Sequence, residues 1–189
     1  MVLGQLTRLT LVAAALMLGG CASSGSYAPL PSVAPVDLER FMGAWYVIGF
    51  IPIGGERDAH NGIEHYRLTD DDRIATVYRF RDGGFDGPLK TFTPNAKVRE
   101  GTGNAEWGMQ FIWPFRAEYR IAYVDPEYQH TIIARSKRDY VWLMSRQPDM
   151  DDATYADLVG RVAAMGYDMS AFRRQPQQWP EADARPPLP

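Results

Sequence analysis

Ile74-Ala75-Thr76-Val77-Tyr78-Arg79-Phe80-Arg81-Asp82-Gly83-Gly84 reads with a period of two. Ile74, Thr76, Tyr78 and Phe80 fall on one face, Arg79 and Arg81 on the other, and Asp82-Gly83-Gly84 ends the run with turn chemistry. Such alternation marks a half-buried strand. The same reading extends both ways along the chain. Strands are expected at about 44–51, 62–69, 73–82, 89–99, 105–112, 116–124, 129–136 and 139–146. Asp70-Asp71-Asp72, Glu100-Gly101-Thr102-Gly103-Asn104, Asp125-Pro126-Glu127 and Ser136-Lys137-Arg138-Asp139 are short, hairpin-type links, and only Pro52–Asn61, rich in glycine, is long. Short strands joined by tight turns predict an all-β, antiparallel up-and-down barrel, and eight strands enclose room for one small ligand.

One segment leaves this period. Asp151-Asp152-Ala153-Thr154 can cap a helix, after which Tyr155, Leu158, Val159, Val162 and Met165 share a face and Gly166 ends it. A single amphipathic α-helix after the strands is expected to bury that stripe against the outside of the barrel.

Alternation also assigns an inner face. Tyr78 and Phe80 lie on it in one strand, and Trp107, Met109 and Phe111 in another. Tyr119, Ile121 and Tyr123 oppose Glu118 and Arg120, and Tyr140, Trp142 and Met144 run in line with Arg146. These eleven apolar and aromatic residues are the candidate cavity wall. A filled core is the rival reading. The high share of Tyr and Trp favours a pocket, because rigid amphipathic rings suit a wall better than an interior.

The 189 residues carry 20 Lys+Arg and 23 Asp+Glu, a formal charge of −3, which argues against a nucleic-acid partner. A single cysteine excludes an internal disulfide and any multi-cysteine zinc site. Its setting is informative. Residues 1–20 hold one charge, Arg8, before the apolar run Leu9–Leu18, the order of a signal peptide and too short for a stable membrane span. Leu18-Gly19-Gly20-Cys21 resembles a bacterial lipobox, which implies lipidation of Cys21, with Ala22 favouring the outer membrane. Residues 21–35 are then expected to form a lipidated N-terminus and flexible tether, 36–175 the barrel domain, and 176–189 a Pro-rich disordered tail.

Three further stretches carry a family resemblance. Asp37-Leu38-Glu39-Arg40-Phe41-Met42-Gly43-Ala44-Trp45-Tyr46 resembles the first lipocalin signature, Tyr123-Val124-Asp125-Pro126-Glu127-Tyr128 the second, and Trp142-Leu143-Met144-Ser145-Arg146 the third. Pro126-Glu127-Tyr128 departs from the commonest form of the second. Asn61-Gly62-Ile63-Glu64, Trp113-Pro114-Phe115 and Asp139-Tyr140-Val141-Trp142 look like the outer-membrane lipoprotein lipocalins of bacteria. The resemblance implies that Gly43, Trp45, Tyr46, Asp125, Tyr128 and Arg146 are structural signature residues, and that Gly43, Trp45 and Arg146 maintain the closed end, with Arg146 lying across the Trp45 ring. It also implies a protein that stores or transports a fatty acid or lysophospholipid in the periplasm, serving membrane maintenance, without a cofactor. Trp113 and Trp179 are candidate homodimer contacts. The enzymatic alternative, a lipid-modifying barrel, finds no Gly-x-Ser-x-Gly elbow and no metal-ligand spacing among His60, His65 and His130 beyond a loose His60/His65 pair. A third alternative is a partner-binding lipoprotein with a filled barrel.

Overall fold

A computed structural model describes residues 27–180. One helical turn, α1 (Leu38–Phe41), is capped by Asp37, whose carboxylate accepts from the Arg40 backbone N–H at 3.1 Å. It leads into β1 (Gly43–Ile51), followed by β2 (Ala59–Leu68), β3 (Arg73–Asp82), β4 (Leu89–Phe92), β5 (Asn95–Val98), β6 (Glu106–Ile112), β7 (Phe115–Val124), β8 (His130–Ala134) and β9 (Val141–Ser145). Both β4 and β5 pair with β3, so they occupy one position in the barrel. The expected strand over 89–99 is interrupted at Thr93-Pro94 because proline offers no N–H to the ladder. All pairings are antiparallel, and β9 returns to β1, closing an eight-position barrel.

Helix α2 (Asp152–Ala164) packs outside, as the period predicts. Asp151 caps it, accepting from the Thr154 backbone N–H at 2.9 Å. Leu158 and Val162 are buried with Ile132, Val141 and Leu143 on the outer face of the sheet. Gly166 follows the helix at φ +85°, a conformation that favours glycine.

The chain after α2 corrects the expected disordered tail. Strands β1 and β2 pair only from Gly43↔Tyr66 to Tyr46↔Ile63, then separate. A bulge in β2 accompanies the separation, where Asn61 takes φ +51°. Strand β10 (Arg173–Arg174) and the residues after it fill the gap. Arg174 and Arg173 pair with Gly49 and Phe50, and the Gln175 N–H donates to Ile48 O at 2.8 Å. The Gly62 N–H donates to Gln175 Oε1 at 2.7 Å, and the Asn61 N–H to Pro176 O at 2.9 Å. Gln177 Nε2 donates to Val47 O at 2.7 Å, and Trp179 meets Tyr46 edge-on with ring centres 5.2 Å apart. Residues 176–180 are thus a seal on the barrel wall. Composition missed them because amides, not an apolar period, hold them.

The tether needs a similar correction over 27–35. Leu30 is buried beside the outer core, Arg138 Nη2 donates to Ala28 O at 2.5 Å, and the Val36 N–H donates to Gly103 O at 2.8 Å. This segment runs down the barrel from the β8–β9 connection to the opposite end. The signal peptide, Cys21 and residues 181–189 lie outside the described residues. Barrel, helix and seal all fall within 27–180, so a chain beginning at Ala22 carries every element found among the described residues.

The seal has a tight point. A Cβ on Gly62 would stand 2.0 Å from Gln175 Oε1 and 2.8 Å from its Cδ. Gly62→Ala should therefore cost about 1–3 kcal/mol, the usual penalty of forced overpacking. A urea titration checks this, with faster amide exchange over 173–178 as its local signature.

Candidate functional site

The lower half of the barrel is plugged with aromatic rings. Trp45 is fully buried, and its indole N–H donates to Phe41 O at 2.8 Å. Arg146 lies across the ring, its guanidinium carbon 3.8 Å from the centroid. The same guanidinium donates to Ala44 O at 2.8 Å, Arg40 O at 2.6 Å and Tyr128 O at 3.3 Å. Burial pushes its pKa down to about 10, so it stays charged at neutral pH. Gly43, at φ +93°, brings the chain under this cation; a Cβ there would stand 3.4 Å from Arg146 Nη1. Asp125 accepts from the backbone N–H groups of Gln129 and His130, both at 2.8 Å, and so fixes the turn that carries Tyr128. The Tyr128 hydroxyl in turn accepts from the Asp37 N–H at 2.9 Å. Tyr46 faces outward to Trp179.

Above Trp45, Phe41 contacts Tyr66 and Trp107 with centroids 5.7 and 5.4 Å apart, and Trp107 stacks on Tyr119 at 4.8 Å. This half is the filled core that rivalled the pocket reading.

The upper half is hollow. A cavity of about 290 Å³ opens between the β1–β2 and β8–β9 connections. That lies at the lower edge of the usual ~300–1,000 Å³ for small-molecule sites. Tyr78, Met109, Phe111, Tyr119, Tyr140 and Trp142 line it. Phe80, Trp107, Ile121 and Met144 are buried in the inner core without reaching it. Tyr123 corrects the alternation. A bulge in β7 sets Ile121 opposite Ile133 but Tyr123 opposite Ile132, turning the Tyr123 ring outward beneath the Arg161 guanidinium at 4.6 Å. At the mouth, Phe111, Ile112, Trp113 and Phe115 are 60%, 72%, 82% and 75% exposed.

Two carboxyls in the cavity escaped the pattern reading. Glu56 comes from the turn of 3-10 helix Gly54–Glu56 in the long first connection, and Glu64 projects from mid-β2 opposite Tyr78. Glu64 alternates with Tyr66 and Leu68, which was the available signal. It is 2% exposed and accepts from the Tyr66 hydroxyl, which sits 2.5 Å from the Tyr119 hydroxyl. Burial pushes Glu64 up to about 8, against the Tyr66 hydrogen bond and aided by Glu56. Burial likewise lifts Glu56 to about 7, opposed by the Trp142 indole N–H. Both carboxyls therefore hold protons well above the ordinary carboxylate range.

Comparison with known proteins agrees with this architecture. Residues 36–177 match the lipocalin-like domain family, and the chain belongs to it. Members of this family bind small hydrophobic molecules. Temperature-induced lipocalin-1 of Arabidopsis thaliana is 30% identical over 166 residues, covering 82% of this chain and 87% of that protein. Outer membrane lipoprotein Blc of Escherichia coli K12 is 26% identical over 163 residues, covering 84% and 89%. Insecticyanin from the tobacco hornworm Manduca sexta superposes with a TM-score of 0.63 at 16% identity, covering 85% of this chain and 90% of that one.

The raised carboxyls give the empty barrel a pH dependence of definite sign. A carboxyl whose pKa is higher folded than unfolded contributes stability that is complete below pH ~4.5 and lost as pH rises through 7 to 8. The ligand-free protein should melt lower at pH 8.5 than at pH 5. Glu64→Gln should recover about 5 °C of that difference at pH 8.5, roughly 2 kcal/mol for a domain of this size. Calorimetry at the two pH values measures it.

Proposed function

We propose that this chain is a lipid-anchored lipocalin of the bacterial outer membrane that shelters the acyl chain of a fatty acid or lysophospholipid and exchanges it with the adjoining bilayer. The observation that carries this reading is the apolar cavity, whose lining reaches Phe111 on a barrel rim that also displays Ile112, Trp113 and Phe115. Each methylene taken from water into the cavity contributes about 0.8 kcal/mol. The small volume shelters one chain, with the rest of a long ligand passing the mouth.

The course of the tether supports an orientation. Ala28 is held at Arg138, in the β8–β9 connection at the open end. Five residues lie between Cys21 and Tyr27, six chain steps that span at most ~20 Å. An acylated Cys21 would therefore hold the aromatic rim toward the membrane, where an exposed apolar patch of this kind finds a partner. A relative named as an outer membrane lipoprotein fits the same reading. A plant relative shares the barrel, so the anchor rests chiefly on Cys21 and its flanks.

Three measurements test the proposal. Native mass spectrometry of the chain from Ala22 onward should find one lipid per barrel, removed by solvent extraction and regained at tens of micromolar lipid; no uptake overturns the binding role. Trp113→Ser with Phe115→Ser should reduce partition onto anionic vesicles at least fivefold; an unchanged partition together with loss of a dimer would reassign the rim to a second copy. For the anchor, Cys21→Ser should move the protein from the membrane to the soluble fraction, and a retained acylated mass would overturn it.

A further inference from the structure

The polar groups inside the cavity share one character. Glu56 enters from above and Glu64 from below, and the rings of Tyr78, Trp142 and Tyr140 stand between them, with Trp142 4.6 Å from Tyr78 and 5.1 Å from Tyr140. Tyr78 and Trp142 are 2% and 3% exposed, and the Trp142 indole N–H is directed at Glu56, whose Oε2 is buried without a hydrogen-bond partner. Among the described residues that line the cavity, the only basic side chain is Arg135. It lies at the mouth, just beyond β8, with Nη1 3.6 Å from Asp139.

This arrangement discriminates between ligand ends. A carboxylate inserted first would meet two carboxyls and no inner cation. A hydrocarbon end would leave the buried Glu56 Oε2 without a partner. A primary ammonium brings three donors and a positive charge to two acceptors, and the ring faces add cation–π attraction. We propose that the inner end of the cavity, between Glu56 and Glu64, is a binding site for an alkylammonium group, so that this barrel takes long-chain amines or amino alcohols amine-first. This rests on the reading of the cavity as the site of an aliphatic chain, and specifies which chains it prefers.

The proton balance gives the pH signature. The acids that hold protons in the empty cavity release them to solvent when a cation settles between them, so amine affinity rises as pH goes from 6.5 to 8.5. The other groups facing the cavity stay fixed over that range. Tyr66, Tyr78, Tyr119 and Tyr140 are pushed well above 10 by burial. Glu118, at the mouth, is held below the usual carboxylate range, burial being outweighed by hydrogen bonds from Ser136 and Arg120. An alkylamine stays charged throughout, titrating near ~10.4 like a lysine.

The test compares dodecylamine, dodecanoate and dodecanol on the delipidated chain from Ala22 onward, read by quenching of tryptophan fluorescence and by calorimetry. Dodecylamine is expected to bind at least tenfold tighter than dodecanoate at pH 8.5, the ratio narrowing at pH 6.5, with proton release seen as a buffer-dependent binding heat. Glu64→Gln, and separately Glu56→Gln, should each cut the amine-to-alcohol affinity ratio at least fivefold. Dodecanoate binding as tightly as the amine at pH 8.5, or a ratio unmoved in both variants, overturns the ammonium site while leaving chain binding intact. Failure of all three ligands to bind a folded barrel sinks chain binding itself, and the ammonium site with it.

Discussion

One guanidinium holds the closed end together. Arg146 leaves β9, stacks on Trp45 of β1 and donates to carbonyls of α1, β1 and the turn before β8. Four separate segments therefore meet on a single cation. Those carbonyls gain a charged donor, and the ring face under the cation offsets part of the desolvation that lowers its pKa. Gly43 permits the approach, and Asp125 organises the turn that presents Tyr128 O. With one cysteine in the whole chain, no internal disulfide shares this load.

Because the lower half is closed so firmly, the upper half can be left open. The rings of Phe41, Trp45, Tyr66 and Trp107 fill the base to the level of Tyr119, and the cavity begins there. Both readings of the aromatic face were correct, each for one half of the barrel. The aromatic plug sets the depth to which a ligand can enter, and Glu64 lies at that depth. A protonated acid beside two tyrosine hydroxyls is a costly thing to bury for packing alone. Its position at the cavity floor ties that cost to what the cavity holds.

The wall is also less uniform than a repeating up-and-down barrel suggests. Strands β1 and β2 part after four residue pairs, and the gap is closed from outside by the segment after α2. The barrel wall near the mouth thus depends on the end of the described chain. The tether adds a second strap, running from the open end at Arg138 to the closed end at Gly103.

The closed-end residues came from the three signature stretches that resemble a family. The sequence by itself determined the class of fold, the number of barrel positions and the outer helix, because period-two alternation, turn chemistry and a helical stripe are local signals written in neighbouring residues. Six of the eleven residues assigned to the wall line the cavity for the same reason. Tertiary structure decided what alternation cannot carry. The bulge at Ala122 turned Tyr123 outward, since one extra residue reverses the face of everything beyond it until the register recovers. The seal of residues 173–178 was invisible because its bonds are amide contacts spanning more than a hundred residues. The carboxyl pair was hidden most deeply. Glu56 lies in a glycine-rich connection and Glu64 in a strand, and only closure of the barrel brings both to one enclosed space, where burial changes their chemistry.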